Sequence, residues 1–179
     1  IDDQEGEKLF SAKRIAAKME WKPLISKRQI SIRNIRIFHP KLTIYKDHSE
    51  AETNYQFLAD AFAAKEKRKK TTKLNLRINS LLIKHADFRY DILSAKKQPG
   101  KLCPDHICIE DLSAHLSLKA LTGDSISLMM RELNFKEQSG MRVNDLYFRL
   151  VGNRQGATLA NFHLELPHST LLLDTLWAS

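Results

Sequence analysis

The sequence has little of several residue types that mark special classes of protein. Of its 179 residues only two are cysteine, six are glycine and five are proline. Two cysteines are too few for a disulfide-stabilised scaffold, and so little glycine and proline excludes collagen-like and low-complexity chains. The sequence also has no apolar run of about 18 residues, so it predicts no membrane-spanning helix.

Sequence motifs for catalysis, cofactor binding and metal binding are missing as well. We find no P-loop, no Gly-x-Gly-x-x-Gly, no Gly-x-Ser-x-Gly and no His-Glu-x-x-His pattern. The seven histidines are scattered along the chain. The sequence therefore predicts a protein that is not an enzyme, with no catalytic residues, no cofactor and no metal site.

The two cysteines lie on either side of His106: Cys103 is inside a predicted loop over residues 94–105, and Cys108 follows this loop. Their spacing does not fit the common zinc sites, and no second pair of ligands follows. Three alternatives stay open for them: a local disulfide in an oxidising compartment, two free or buried thiols, and a metal site.

The chain is basic, with 29 Lys and Arg against 21 Asp and Glu and a formal net charge of +8. In the predicted strands these basic residues alternate with apolar ones, which is typical of the polar face of a half-buried sheet. A nucleic-acid-binding domain would instead interleave exposed aromatic and basic residues or offer a basic recognition helix. We therefore expect no nucleic-acid partner, and we interpret the basic run 65–73 as a solvated linker, with contact to anionic lipid or phosphate as its alternative.

Two short amphipathic helices are predicted, at residues 7–20 and 54–67. Apolar residues recur at spacings of three and four in both segments, Pro23 follows the first, and Thr53 or Asn54 can cap the second. The apolar residues of the first segment are Leu9, Ala12, Ala16 and Met19, and those of the second are Tyr55, Phe57, Leu58, Ala61 and Phe62.

Nearly all of the remaining chain alternates with period two, which predicts strands. The alternation has a recurring defect, apolar-x-apolar-x-x-apolar-x-apolar. Its five copies are Ile30, Ile32, Ile35, Ile37; Leu76, Ile78, Leu81, Ile83; Ile107, Ile109, Leu112, Ala114; Met141, Val143, Leu146, Phe148; and Ala157, Leu159, Phe162, Leu164. A β-bulge at the extra residue would keep all apolar side chains on one face and would bend the strand, and a short turn is the alternative.

The first two copies belong to a longer match, in which residues 32–44 align with residues 78–90 at an offset of 46. We interpret this match as a weak internal repeat of strand units. The predicted fold is mainly β with minor α: a single domain over residues 1–179, built as a curved antiparallel sheet or β-groove with bulged strands. Both ends of the sequence look cut, so we expect a fragment of a longer, membrane-anchored protein.

The apolar face of this sheet has two interpretations. It is either the core of a sandwich or of a sheet covered by the two helices, or an open concave face that takes up acyl chains. In the second case we expect nine residues to line the groove: Ile32, Ile35, Ile37, Ile78, Leu81, Ile83, Val143, Leu146 and Phe148.

Several stretches of the sequence resemble one family of proteins. Residues 9–25, 30–46 and 54–62, together with 121–140 and 143–146, are similar to the N-terminal periplasmic part of TamB/AsmA-like envelope proteins of Gram-negative bacteria. The resemblance extends over most of the chain.

The resemblance implies a segment of a long β-rich protein that is anchored in the inner membrane and crosses the periplasm. Members of this family form β-grooves with apolar interiors, and they are associated with phospholipid transfer and with outer-membrane protein assembly. The implied partners are phospholipid or other acyl-chain lipid and outer-membrane assembly proteins, and the family has no catalytic residues. The alternative from the residues alone is a protein-interaction scaffold of the envelope that uses edge strands, with a covered core and no lipid.

Overall fold

The structure is a computed structural model that describes residues 1–20, 31–58, 60, 79–121 and 125–178. Its main feature is a large open, curved sheet. The strands are β1 (Phe10–Ser11), β2 (Arg14–Glu20), β3 (Ser31–Phe38), β4 (Lys41–Lys46), β5 (Ser80–Ile92), β6 (His106–Leu121), β7 (Ser125–Glu137), β8 (Arg142–Val143), β9 (Asp145–Asn153), β10 (Gly156–Leu166) and β11 (Ser169–Ala178). The prediction of a mainly β chain is confirmed.

The sheet is mixed, and the prediction of an antiparallel sheet was wrong in this respect. Along the main path the order is β1-β4-β5-β6-β7-β9-β10-β11, with β3 also beside β5, β2 beside β3, and β8 beside β7. The pairs β3–β5 and β4–β5 are parallel, whereas the other pairs are antiparallel. A parallel pair needs a crossover, which the chain between Lys46 and Ser80 provides.

The two copies of the internal repeat lie side by side in this parallel part of the sheet. Ile35 is paired with Leu81, and Ile44 is paired with Tyr90, so the register has the same offset of 46 residues as the sequence match. Strands β3 and β4 together form one bent strand beside β5, since the His39 N–H donates to the Lys84 carbonyl oxygen at 2.8 Å. Equivalent residues of the repeat are therefore direct neighbours.

Three of the five predicted defects are irregularities of the strand pairing. In β3 Arg33 is the extra residue between Ile32 and Asn34, in β6 the ladders shift around Asp111, and in β10 the register shifts between Ala160 and His163. The fourth defect is a break between β8 and β9. The second begins at Leu76 and Ile78, which lie outside the described residues. Bulges of this kind increase strand twist and bend the sheet.

Residues 7–20 do not form the predicted helix; they contain β1 and β2. The same segment carries a second apolar period, in which Ile15 and Ala17 lie two residues apart between Arg14 and Lys18. Ile15 is paired with Ile37 and Ala17 with Ile35, so pairing with a distant strand decides between the two periods. The helical prediction failed because it weighed only local spacing.

The second predicted helix is supported only over a short stretch. Residues 56–58 and 60 are helical, and the remainder of the predicted span beyond residue 60 lies outside the described residues, as does the run 65–73. The carbonyl oxygen of Thr53 accepts the Gln56 N–H at 2.9 Å. The Asn54 side chain does not cap this helix, because its Oδ1 accepts the Tyr45 N–H at 3.2 Å and so ties the segment to β4.

Little of the described chain is deeply buried. The most buried apolar residues are Leu9, Ala86, Ile92, Cys103 and Val143, and Leu9 is the most enclosed of these at 2% exposure. Most apolar side chains of the long strands are only half-buried. The described residues therefore form a broad sheet whose apolar side chains keep part of their surface accessible.

Candidate functional site

One row of apolar side chains runs across the sheet from β2 to β11. Because residues that face each other on neighbouring strands lie on the same side of a sheet, the register defines this row. Each member is paired with the next, apart from Phe148 and Phe162, whose rings stack at 6.4 Å. The row consists of Ala17, Ile35, Leu81, Leu116, Met130, Phe148, Phe162 and Leu173.

Parallel rows extend this row to a continuous surface, which we call the apolar face. One row joins Ile37, Ile83, Ala114 and Leu133, and another joins Leu146 to Leu164 and Leu171. With neighbouring strands about 4.8 Å apart, a row of eight strands extends over roughly 30 Å. The apolar face is thus long enough to lie along a whole acyl chain.

Seven of the nine predicted groove residues lie on this apolar face. Ile35, Leu81 and Phe148 belong to the long row, Ile37 and Ile83 to the next, Leu146 to a third, and Val143 is paired with Phe135. All except Val143 are half-buried. Ile32 is paired with Met19 through its backbone, and Ile78 lies outside the described residues.

Sequence reasoning missed several members of the apolar face, although the signal was present. The spacing of the five copies also occurs in β7 and β11. In β7 it consists of Leu128, Met130, Leu133 and Phe135, and in β11 of Leu171, Leu173, Leu176 and Ala178. In β7 the register with β6 shifts at this place, between His115 and Leu116. The same spacing therefore occurs in β3, β6, β7, β10 and β11, and across β8 and β9.

The opposite side of the sheet carries polar side chains, and one buried cluster is formed around Asp91. Asp91 Oδ1 accepts a hydrogen bond from His106 Nδ1 at 2.8 Å, Asp91 Oδ2 accepts from Arg89 Nε, and His106 Nε2 lies 3.0 Å from the Ala95 carbonyl oxygen. Burial raises the pKa of Asp91, but the hydrogen bonds from His106 and Arg89 outweigh it, so this pKa lies below its usual value. The imidazole of His106 thus connects Asp91 to the backbone of the 94–105 loop.

Cys103 and Cys108 lie near this cluster, and the local disulfide considered for them is not formed. Both are free thiols, Cys103 buried and Cys108 half-buried. Burial, with the negative charge of Glu110, raises the pKa of the Cys108 thiol. A nucleophilic cysteine needs a lowered pKa, so the surroundings of Cys108 do not activate it.

A second polar cluster lies at the kinks of β5 and β6. The His39 and His85 rings stack at 5.0 Å, and His85 Nδ1 lies 2.6 Å from Asp111 Oδ1. Lys41 and Asp87 form an ion pair of 2.9 Å beside them. The hydrogen bond from His85 lowers the pKa of Asp111. These side chains are exposed, so their ion pairs contribute little to stability.

Ser80 Oγ and His115 Nε2 approach to 3.2 Å, the distance expected of a nucleophile and its base. Glu132, which is paired with His115 across the strands, accepts instead from Lys84 at 2.7 Å and from Asn134 at 3.1 Å. The carboxylate that would orient the imidazole is thus occupied by other donors. This pair gives us no basis for assigning an activity.

Within the described part of the chain, no three His, Cys, Asp or Glu side chains converge as metal ligands would. In the same part, no helix has the length and apolar character needed to cross a membrane. Comparisons with family models, with curated proteins and with solved structures gave no match for this chain.

Proposed function

We propose that this chain is a non-enzymatic domain of the cell envelope that binds acyl chains of phospholipids along its apolar face. It serves lipid transfer between membranes or the assembly of the outer membrane, and it works in the periplasm as part of a protein anchored in the inner membrane. The resemblance to TamB/AsmA-like proteins supports this role. The structural observation that carries it is the apolar row from Ala17 to Leu173, whose described members keep part of their surface accessible.

The accessibility of this row favours an open face over a covered core. A sheet covered by a second layer buries its inward side chains almost completely, whereas Leu81, Leu116 and Phe148 are only half-buried. Transfer of each methylene group from water to such a surface contributes about 0.8 kcal/mol. An acyl chain needs no polar anchor for this, so a binding face without a catalytic cluster suits it.

The proposed function is tested by native mass spectrometry of the purified chain and of two matched variants. Leu81 lies on the apolar face, whereas the adjacent Leu82 is paired with Arg36 and His115 on the polar side. We expect co-purified lipid with the wild-type chain and with Leu82→Gln, and less lipid with Leu81→Gln. Folded wild-type protein that is free of lipid and does not take up fluorescent fatty acid would contradict the proposal.

A second candidate function, an interaction scaffold of the envelope, is favoured by one observation. Within the residues that the structure describes, β11 is paired only with β10 and is exposed along its whole length, so no described strand is bonded to the backbone donors and acceptors of its other edge. Such an edge can accept a strand from another protein. The two functions are compatible, because the edge and the apolar face are different surfaces.

A further inference from the structure

Four basic residues form a band across the polar side of the sheet. They are Lys18 of β2, Arg36 of β3, Arg131 of β7 and Arg149 of β9, and all four are exposed. Each directly follows a member of the long apolar row in the sequence, so its side chain lies on the side opposite to the apolar face. We call these four residues the cationic band.

The strand register determines how the band is arranged. Lys18 and Arg36 lie on adjacent strands, since Lys18 is paired with Asn34. Arg131 and Arg149 lie on a second pair of adjacent strands, β7 and β9, and β5 and β6 lie between the two pairs. With neighbouring strands about 4.8 Å apart, the band from β2 to β9 extends over roughly 24 Å.

Carboxylates of the described residues do not neutralise the band. None of the ion pairs formed within the described part of the chain includes one of its four members. Arg131 Nε donates to an uncharged group, the Ser117 hydroxyl, at 2.8 Å. Glu132, which follows Arg131 in the sequence, accepts instead from Lys84 at 2.7 Å. The charges of the band are therefore available to an external anion.

The acidic cluster residues of the polar side lie at and beyond the kinks of β5 and β6. Asp87, Asp91 and Asp111 are among them, and each has a basic partner in the same region. Leu82 is paired with Arg36 of the band, and along β5 it is roughly 16 Å from Asp87 at 3.3 Å per residue. This separation exceeds the Debye length of about 10 Å at 0.1 M salt, so these carboxylates screen the band little.

The extent and surroundings of the band indicate which anion fits it. A small anion would contact only part of a band that is spread over six strands. A nucleic-acid interface would place exposed aromatic residues between the cations or use a basic helix. The residues in register between Arg36 and β7 are instead Leu82 and His115, which are half-buried. An anionic lipid surface needs no such groups, because each Lys or Arg near it contributes to binding by its charge.

We propose that the cationic band docks this chain on the surface of a bilayer that contains anionic phospholipids, by contact with the phosphates of their headgroups. Guanidinium groups suit this contact, since they donate two parallel hydrogen bonds to phosphate oxygens. The band and the apolar face lie on opposite sides of the sheet, so docking leaves the apolar face free. The inference goes beyond the acyl-chain proposal and does not depend on it.

The test is co-sedimentation of the full chain with two kinds of vesicle, one of phosphatidylcholine alone and one that also contains phosphatidylglycerol. We expect the wild type to bind only the second kind. The double variant Arg36→Gln/Arg131→Gln should bind at least about tenfold more weakly, since each basic residue near such a surface contributes roughly a factor of five. Circular dichroism verifies that each protein is folded.

The matched control is Lys96→Gln/Lys101→Gln, which removes two charges from exposed residues of the 94–105 loop, outside the band. It should bind the anionic vesicles within about twofold of the wild type, because the net charge falls equally but the band is intact. A folded wild-type chain that does not bind these vesicles, or an equal loss of binding in both double variants, would overturn the proposal.

Two further measurements separate charge from other effects. Arg36→Lys/Arg131→Lys keeps both charges and should retain binding to within about threefold, whereas a loss as large as that of the glutamine variant would contradict a contact that depends on charge. Raising the salt from about 0.1 M to about 1 M should release the chain, because the Debye length falls from about 10 Å to about 3 Å. Binding that persists in high salt, or that extends to the neutral vesicles, would assign the contact to the apolar face and refute the role of the band.

The outcome is distinguishable from that of the acyl-chain proposal. Leu81→Gln, which we expect to carry less lipid, should bind the anionic vesicles like the wild type because it leaves the band unchanged. Loss of vesicle binding in Leu81→Gln would instead show that the apolar face makes the contact. A chain that binds a single-stranded oligonucleotide and not the anionic vesicles would replace the lipid surface by a nucleic acid as the partner of the band.

Discussion

His39 and His85 stack with their ring centroids 5.0 Å apart, at equivalent positions of two parallel strands related by the 46-residue repeat. Both residues have a positive φ, +48° and +55°, which bends each strand at the same place. Asp111 on the next strand also has a positive φ, of +52°. The kinks of neighbouring strands therefore lie together, and the sheet bends there as a unit.

This relationship predicts which substitutions the kink tolerates. A positive φ costs a residue with a Cβ about 1–2 kcal/mol, and a β-branched residue is the least suited to it. We expect His85→Val to lower the free energy of unfolding by about 1–2 kcal/mol relative to His85→Gly. Urea denaturation followed by circular dichroism measures the difference.

The matched control uses Arg149, an exposed residue of β9 that is not among the positive-φ positions. In a regular strand valine is favoured over glycine, so Arg149→Val is expected to be more stable than Arg149→Gly. The order of the two variants should therefore reverse between positions 85 and 149. If valine is preferred at both, the kink at His85 is not a positive-φ bulge in solution.

Leu9 attaches the chain before β2 to the sheet. We therefore expect truncation of the Leu9 side chain to have a large effect on the free energy of unfolding. Leu9 is 2% exposed, and its carbonyl oxygen accepts the Thr43 N–H at 2.9 Å. Leu9→Ala is expected to cost about 2–4 kcal/mol of unfolding free energy, because it leaves a cavity. Leu93→Ala, at a leucine that is 59% exposed, should change it by no more than about 0.5 kcal/mol. Equal effects in thermal unfolding would show that the 7–20 segment does not pack as described.

The Asp91 cluster predicts a dependence of stability on pH. Because the folded chain lowers the pKa of Asp91, the ionised carboxylate stabilises the fold above its ordinary pKa of about 4, and this contribution is lost as the pH falls through the lower folded pKa. Asp91→Asn should therefore cost about 1–3 kcal/mol at pH 7 and much less in acid, where both proteins lack the charge.

Asp87→Asn is the control for this experiment, since Asp87 forms an exposed ion pair with Lys41. Its effect should stay below about 1 kcal/mol at pH 7. Denaturation curves at pH 7 and in acid measure both variants. A cost of Asp91→Asn that does not shrink with acidity would mean that the carboxylate charge does not stabilise the fold.

The strand content and the kinks could be predicted because both depend on local spacing. The sequences around Ile107–Leu112 and Leu159–Phe162 show two residues between apolar positions, and both contain bulges in the structure. The helix at 7–20 failed because Ile15 and Ala17 derive their conformation from β3, a partner that local spacing does not reveal. The parallel pairing of β3 and β4 with β5 could have been predicted from the repeat. Its offset of 46 residues is also the difference in number between the paired residues.

The sequence predicted some residues of the candidate site, but it did not predict how far the site extends across the sheet. Ile35, Leu81 and Phe148 were named from their spacing, and the register places them in one row. Leu116 and Met130, which connect them, were not named, because their membership depends on which strands are neighbours. The polar cluster of Asp91 and His106 was missed for the same reason, as the two residues are 15 positions apart.

The central claim is that the apolar face binds acyl chains, and titration with a fluorescent fatty acid tests it most directly. The three proteins compared are the wild-type chain, Phe148→Gln on the apolar face and Arg149→Gln, whose residue lies beside Met129 and Ala160 on the other side. We predict saturable binding to the wild type and to Arg149→Gln, and binding to Phe148→Gln that is weaker by about tenfold or more. A folded wild-type chain that binds no fatty acid, or equal binding by all three proteins, would contradict the claim.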